Sequence, residues 1–323
     1  MALKRLSIAG KAYGTFDASS GAGFNGAGKV LEARSGSDAE QVDAFLEALA
    51  VSHTVMATKN AQGQLLYEAE SPDEFALVSA AADLGWKFVE RRGNELIVEH
   101  SEPAKAPSEP SKSPVKIQYK VLATNAFNST RKRMSVVVEK KVGATPEYLL
   151  LVKGADNIML DLAAEKASQS QRLLVEHLKE FSLQGLRTLV IGYKKLTQVE
   201  VNDFQKKYDD AQKLTRGRDD ELAAVAADIE KNLLILGATA IEDKLQVGVG
   251  EAIEKVRNAG IKLWVLTGDK LETARNIGFS TKVLTPSMKI AIVDDEEGVM
   301  DLDKHDKDLK AVLKLEERAM MVT

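Results

Sequence analysis

The chain changes texture near residue 232, and that change limits what it can fold into. Beyond it, Leu233–Ile241 reads as a buried strand, and Val247–Ala259 as a helix with Val249, Ile253 and Val256 on one face and Gly260 as its cap. Ile261–Leu266 reads as a second buried strand, and Leu271–Gly278 opens another helix. This order predicts a βαβα unit of a parallel sheet with right-handed crossovers. Such sheets normally hold more than two strands, so the unit is expected to be partial.

Before residue 232, strands and helices follow one another without strict alternation. Strands are predicted at Glu95–Glu99, Lys116–Leu122, Arg133–Glu139, Tyr148–Lys153 and Thr188–Tyr193, and helices at Glu40–Val51, Pro72–Leu84, Ala163–Leu183 and Val199–Ile229. The pattern suggests an α+β domain with a largely antiparallel sheet. Ser101–Pro114 carries four of the seven prolines and no large apolar residue, so it is expected to be an exposed loop interrupting this domain.

A net charge of −4 with mixed signs, and one tight basic cluster at Arg131-Lys132-Arg133, argue against a nucleic-acid binder. The absence of cysteine removes disulfides, thiolate nucleophiles and cysteine zinc sites. His53, His100, His177 and His305 show no ligand spacing. Apolar runs such as Leu149–Val152 are too short to cross a bilayer, and the N-terminus shows no signal-peptide pattern, so the chain is expected to be soluble.

Several short stretches could carry chemistry. Gly23–Val30, GFNGAGKV, approaches a phosphate-binding loop, but Val30 stands where a magnesium-ligating hydroxyl is needed, and the flanks read as flexible connection. Leu266-Thr267-Gly268-Asp269-Lys270 delivers a hydroxyl, a glycine and a carboxylate just before a helix, which suits a phosphate or a plain capped turn. Asp243 ends the preceding strand in the same manner. Phe127–Ser135 combines an aromatic ring, hydroxyls and the basic cluster, fitting a stacked base beside phosphate or a hairpin with a solvated basic turn. Lys153 follows an apolar strand, and Arg187 could clasp phosphate bidentately or face water. Ser71-Pro72-Asp73-Glu74 is predicted to be a capping box, which by itself accounts for Glu74.

Taken together, YEAESPDEFALVSAA (67–81), FNSTRKRMSV (127–136), LLLVKGAD (149–156), GLRTLVIGYKKL (185–196), LLILGATAIEDKLQ (233–246) and WVLTGDKLETARNIG (264–278) resemble the P-type ATPases of the phospholipid-flippase class. The resemblance implies an α/β chain: an α+β nucleotide-binding domain at 1–232 with a mainly antiparallel sheet flanked by helices. A partial Rossmann-like, haloacid-dehalogenase-like parallel phosphorylation domain would occupy 233–323. It implies ATP, with Mg2+ carried on it, as ligand. Phe127 would stack on adenine, with Glu74, Ser129, Lys132 and Lys153 lining the cleft and Arg187 and Thr188 facing its phosphate side. Thr267, Gly268 and Asp269 would meet the far phosphates once the domains close.

The family's DKTGT phrase, with its phosphorylated aspartate, occurs nowhere in the chain. The expectation is therefore a cytosolic, ATP-positioning portion of a membrane transporter, partnered by the transporter's remaining domains and inactive alone. Two rivals stand beside it: a phosphatase-like hydrolase using Asp243, where Leu245 replaces the usual second aspartate, and a non-catalytic interaction module recruiting a partner through 101–114.

Overall fold

The computed structural model describes residues 1–16, 23–103, 113–142, 145–165, 168–242, 248–265, 271–293 and 318–322. They fall into two compact units, Met1–Asp243 and Lys244–Thr323.

The first unit opens with strands β1 (Ala2–Ile8) and β2 (Lys11–Tyr13), then helices α1 (Ala27–Ala33) and α2 (Ala39–Val51). A small hairpin, β3 (Met56–Lys59) and β4 (Leu65–Glu68), precedes α3 (Pro72–Asp83). Six strands and four helices follow: β5 (Trp86–Arg92), β6 (Glu95–His100), β7 (Val115–Asn125), β8 (Arg133–Val142), β9 (Thr145–Gly154), α4 (Asp156–Asp161), α5 (Gln169–Leu183), β10 (Arg187–Leu196), α6 (Gln198–Gln212), α7 (Arg218–Ile229). The unit ends with β11 (Leu234–Glu242). Nine strands form one antiparallel sheet in the order β2-β1-β11-β10-β9-β8-β7-β6-β5.

The period of two in the central strands explains why both faces are covered. Val136 and Val138 of β8, with Leu149 and Leu151 of β9, join the core under α2 and α3. The alternate residues Val137, Leu150 and Val152 join a second core under α4 to α7, where Leu174, Leu178, Val201, Phe204 and Val225 lie. Phe45 and Phe88 are fully buried in the first core, and each contributes about 1.5–3 kcal/mol by leaving water.

The structure corrects the predicted placement of Leu233–Ile241. This strand, β11, pairs antiparallel with β1 and β10 inside the first sheet and does not enter a parallel one. With α2 and α5 against its two faces, it is apolar but for buried Thr239 and the terminal Glu242, and a doubly covered strand reads alike in either kind of sheet. Asp243 lies outside the described residues.

Part of the flank read as flexible connection is ordered, and so is GFNGAGKV. Lys11–Tyr13 is β2, and GFNGAGKV runs into α1, where Val30 is fully buried by packing. The long helices predicted over 163–183 and 199–229 each begin later or divide, the second at Gly217, whose φ of 65° interrupts helical geometry. Of the predicted loop 101–114, residues 104–112 lie outside the described set.

The second unit holds α8 (Val249–Asn258), α9 (Leu271–Ser280) and a parallel strand pair, β12 (Lys289–Val293) with β13 (Arg318–Val322). Lys282 pairs with Glu254 at 2.8 Å, tying the end of α9 to α8. The predicted strand Ile261–Leu266 is not formed over 261–265. These residues are exposed, Trp264 at 83%, so no packing rewards their apolar pattern. Thr267, Gly268 and Asp269 lie outside the described residues.

Candidate functional site

One end of the sheet gathers the last residues of β7 and β9, the first residues of β8 and β10, and the N-terminus of α3. Strand parity decides which side chains meet there. Lys153 shares the face of Leu149 and Leu151, toward α2 and α3, and its ammonium donates to Glu74 Oε1 at 2.8 Å. Glu74 Oε2 accepts from the Thr54 amide at 2.9 Å and its hydroxyl at 2.8 Å. The predicted capping box is therefore absent: Ser71 makes no side-chain cap, and Glu74 is drawn away to an ammonium it neutralises. Thr197 and Glu200 form such a box at α6.

Both partners of this pair are buried. Burial pushes the Glu74 carboxyl up, but the Lys153 ammonium and the Thr54 hydrogen bonds together hold it below its ordinary value. Burial also pulls the Lys153 ammonium below its ordinary range, and Glu74 restores it only in part. Beside them His53 is enclosed, its Nε2 donating to Ala50 O at 2.8 Å and its Nδ1 accepting from Val55 N at 3.1 Å. Burial, then the Lys153 and Arg91 charges, drive its pKa down to about 3, so the ring stays neutral.

Arg187, the first residue of β10, donates to Asp73 Oδ2 at 2.9 Å, so it lies next to Glu74 along α3. Thr188 follows, half-buried and paired with Ala240. Phe127, Ser129 and Lys132 lie on the β7–β8 hairpin and are exposed, Phe127 at 62%. The hairpin is tied to Lys153 through backbone: Lys132, at φ 51°, accepts at its carbonyl from the Ala155 amide at 2.9 Å.

Gly154 makes that approach possible. A methyl there would stand 2.5 Å from Arg133 Cβ and 2.9 Å from the Lys132 carbonyl oxygen. Gly154→Ala is expected to cost about 1–3 kcal/mol as the hairpin is pushed off β9. The urea midpoint of unfolding measures it.

Sequence reasoning missed His53 and Thr54, which carry no motif of their own, and gave Asp73 no role beyond its place in the ESPDE phrase. It also treated the basic cluster as one unit. Only Lys132 is exposed, whereas Arg131 and Arg133 are buried against Glu230, a partner about a hundred residues away that no local pattern announces.

The P-type ATPase cytoplasmic domain N matches residues 41–248, and the chain belongs to the P-type ATPase family. Within it, the chain is 37% identical to phospholipid-transporting ATPase DRS2 of Saccharomyces cerevisiae over 273 residues, 84% of this chain and 19% of that protein. It is 41% identical to phospholipid-transporting ATPase 10 of Arabidopsis thaliana over 258 residues, 79% of the chain and 21% of the relative. With phospholipid-transporting ATPase ID of Homo sapiens the identity is 41% over 244 residues, 76% of the chain and 19% of the relative. The chain thus spans about a fifth of the length of these relatives.

Proposed function

We propose that the chain binds ATP at the open end of the nine-stranded sheet and positions it for phosphoryl transfer to an aspartate outside this chain, within a phospholipid-transporting ATPase. The observation that carries the reading is the buried Glu74–Lys153 pair beside the exposed Phe127 hairpin. A buried ion pair is weak evidence of a stability gain, because desolvating two charges costs several kcal/mol. Its place at the strand ends is explained by a ligand that uses the ammonium. Phe127 offers a stacking face for adenine, and Glu74, Ser129, Lys132 and Lys153 line the cleft. Arg187 and Thr188 face the phosphates.

Catalysis of this kind rests on positioning and charge neutralisation. Among the described residues no group of three or more His, Asp or Glu could hold a metal ion. In this reading magnesium is carried on the phosphates of ATP. No helix among the described residues is long and apolar enough to cross a membrane. In this reading the chain works at the cytosolic face, partnered by the transporter's remaining domains.

The test is a calorimetric titration of ATP, with and without magnesium, into the wild type, Lys153→Ala and Asp243→Asn, with phosphate release followed in parallel. Losing one charge-assisted hydrogen bond, about 1.5–3 kcal/mol, should weaken binding about 10- to 100-fold in Lys153→Ala. Asp243→Asn should bind as the wild type does, and release should be negligible. Steady release abolished by Asp243→Asn would establish the phosphatase-like alternative. Saturable binding absent from the folded wild type would leave an interaction module.

A further inference from the structure

On the opposite face of the sheet from Glu74, the C-cap residue of α7 does something no helix asks of it. Glu230 is fully buried, and a carboxylate at a helix C-terminus meets the negative end of the helix dipole. Among the described residues, what compensates it comes from the β7–β8 hairpin region. Arg131 donates from its guanidinium to Glu230 Oε1, Arg133 Nε donates to Oε2 at 2.6 Å, and the Ser135 hydroxyl donates to Oε1 at 2.6 Å. Asn125, opposite Ser135 in the ladder, donates to that hydroxyl at 2.9 Å.

Arg131 then grips the chain on both sides of Phe127. Its guanidinium donates to the Ala126 carbonyl at 3.1 Å, and its amide to Asn128 Oδ1 at 2.6 Å. Arg133 donates to the Arg131 carbonyl at 3.1 Å, closing the turn. With residues 131 and 133 pinned inward, Lys132 is left exposed in the left-handed region. Two guanidiniums on one carboxylate leave a buried excess of positive charge, and apolar packing would serve stability as well. Rigid guanidinium forks fix direction where apolar contacts would allow sliding.

We propose that Glu230 is a positioning residue for nucleotide binding, holding the β7–β8 hairpin from behind so that Phe127 is presented to the adenine. It rests on the ATP-binding reading above. Glu230 touches no ligand and acts through Arg131 and Arg133.

The test uses the full chain and Glu230→Gln, which keeps the shape and one acceptor. Amide hydrogen exchange at Asn128–Lys132 should accelerate about tenfold while exchange at Phe45 and Leu46 stays as in the wild type. ATP affinity, measured well below the unfolding transition, should fall about tenfold. In a Phe127→Ala background the same substitution should cost less than about twofold, because its effect passes through the ring. A merely structural Glu230 would lower the melting temperature and leave that coupling at zero.

Should Glu230→Gln not fold, Arg133→Met leaves one guanidinium for one carboxylate, and the same three measurements apply. Unchanged hairpin exchange, or an affinity loss undiminished by Phe127→Ala, overturns the proposal. A folded wild type that binds no ATP overturns the nucleotide reading instead, and hairpin exchange then decides whether the latch exists at all.

Discussion

Gly237→Ala is expected to lower stability by about 4 kcal/mol or more, enough to leave little folded chain. The reason is the position of Gly237 inside β11, between β1 and β10, at a bulge where Ile191 pairs with Gly237 and Gly192 with Ile235. Bulges concentrate glycine because one strand bends toward its neighbour. A Cβ at 237 would stand 1.9 Å from the Ser7 carbonyl oxygen, and the residue's φ of 156° suits few side chains. The obstacle is backbone, so no rotamer change relieves it. Relief requires β1 to part from β11, which strips Leu6 and Ile8 from the core. Gly93→Ala is the control: its φ of 57° disfavours alanine, but nothing lies within 4 Å of the new methyl. That change should cost only about 1–2 kcal/mol. Soluble yield and urea unfolding compare the two, and a Gly237→Ala chain as stable as Gly93→Ala would mean that β1 and β11 are not paired in this register.

The same strand shows what the sequence can and cannot say. The apolar character of Leu233–Ile241 marks a buried strand, and β11 is one. Its partners do not follow, because an interior strand under helices on both faces carries no alternation to reveal its neighbours. β8, β9 and β10 were legible for a related reason: long runs of branched residues bounded by turns admit few readings. β1 and β2 were not, since β2 is three residues long and the turn between them is Ala9-Gly10, both left-handed at φ 52° and 74°. Asn-Gly would have announced such a hairpin, and Ala-Gly does not.

At the site, the motifs Glu74, Lys153 and Arg187 were visible, but their pairing was not. Glu74 looked spoken for by Ser71, and only tertiary structure shows the stronger claim of a buried ammonium. The basic triplet was misread for the same reason, because local sequence cannot say which of three adjacent cations meets a distant carboxylate.

The neutral His53 behind that ammonium sets the chain's response to acid. Its folded pKa, about 3, lies below the ordinary 6.5, so the unfolded chain takes up this proton first. Stability from this group is complete above pH 6.5 and falls as pH drops toward 3, by about 1.4 kcal/mol per unit. Glu74 is likewise held below its ordinary 4.5, so its contribution is present above pH 4.5 and is lost as pH falls through its folded value. The two therefore act in sequence: about 3 kcal/mol should go between pH 6.5 and 4.5 through His53, and more below that through both. His177, half-buried and also held down by burial, adds in the same direction. His53→Gln isolates the effect, because an amide can occupy the site without titrating. Unfolding free energies measured at pH 7.5, 6.5, 5.5 and 4.5 should slope steeply for the wild type and much less for the variant. Equal slopes would mean that His53 already carries a proton in the folded chain. Protonation would then add a positive charge beside Lys153 and Arg91, opposed by Glu74. Acid should accordingly loosen this end of the sheet before the rest, and ATP affinity should decline in the same pH window in which the wild type and His53→Gln diverge.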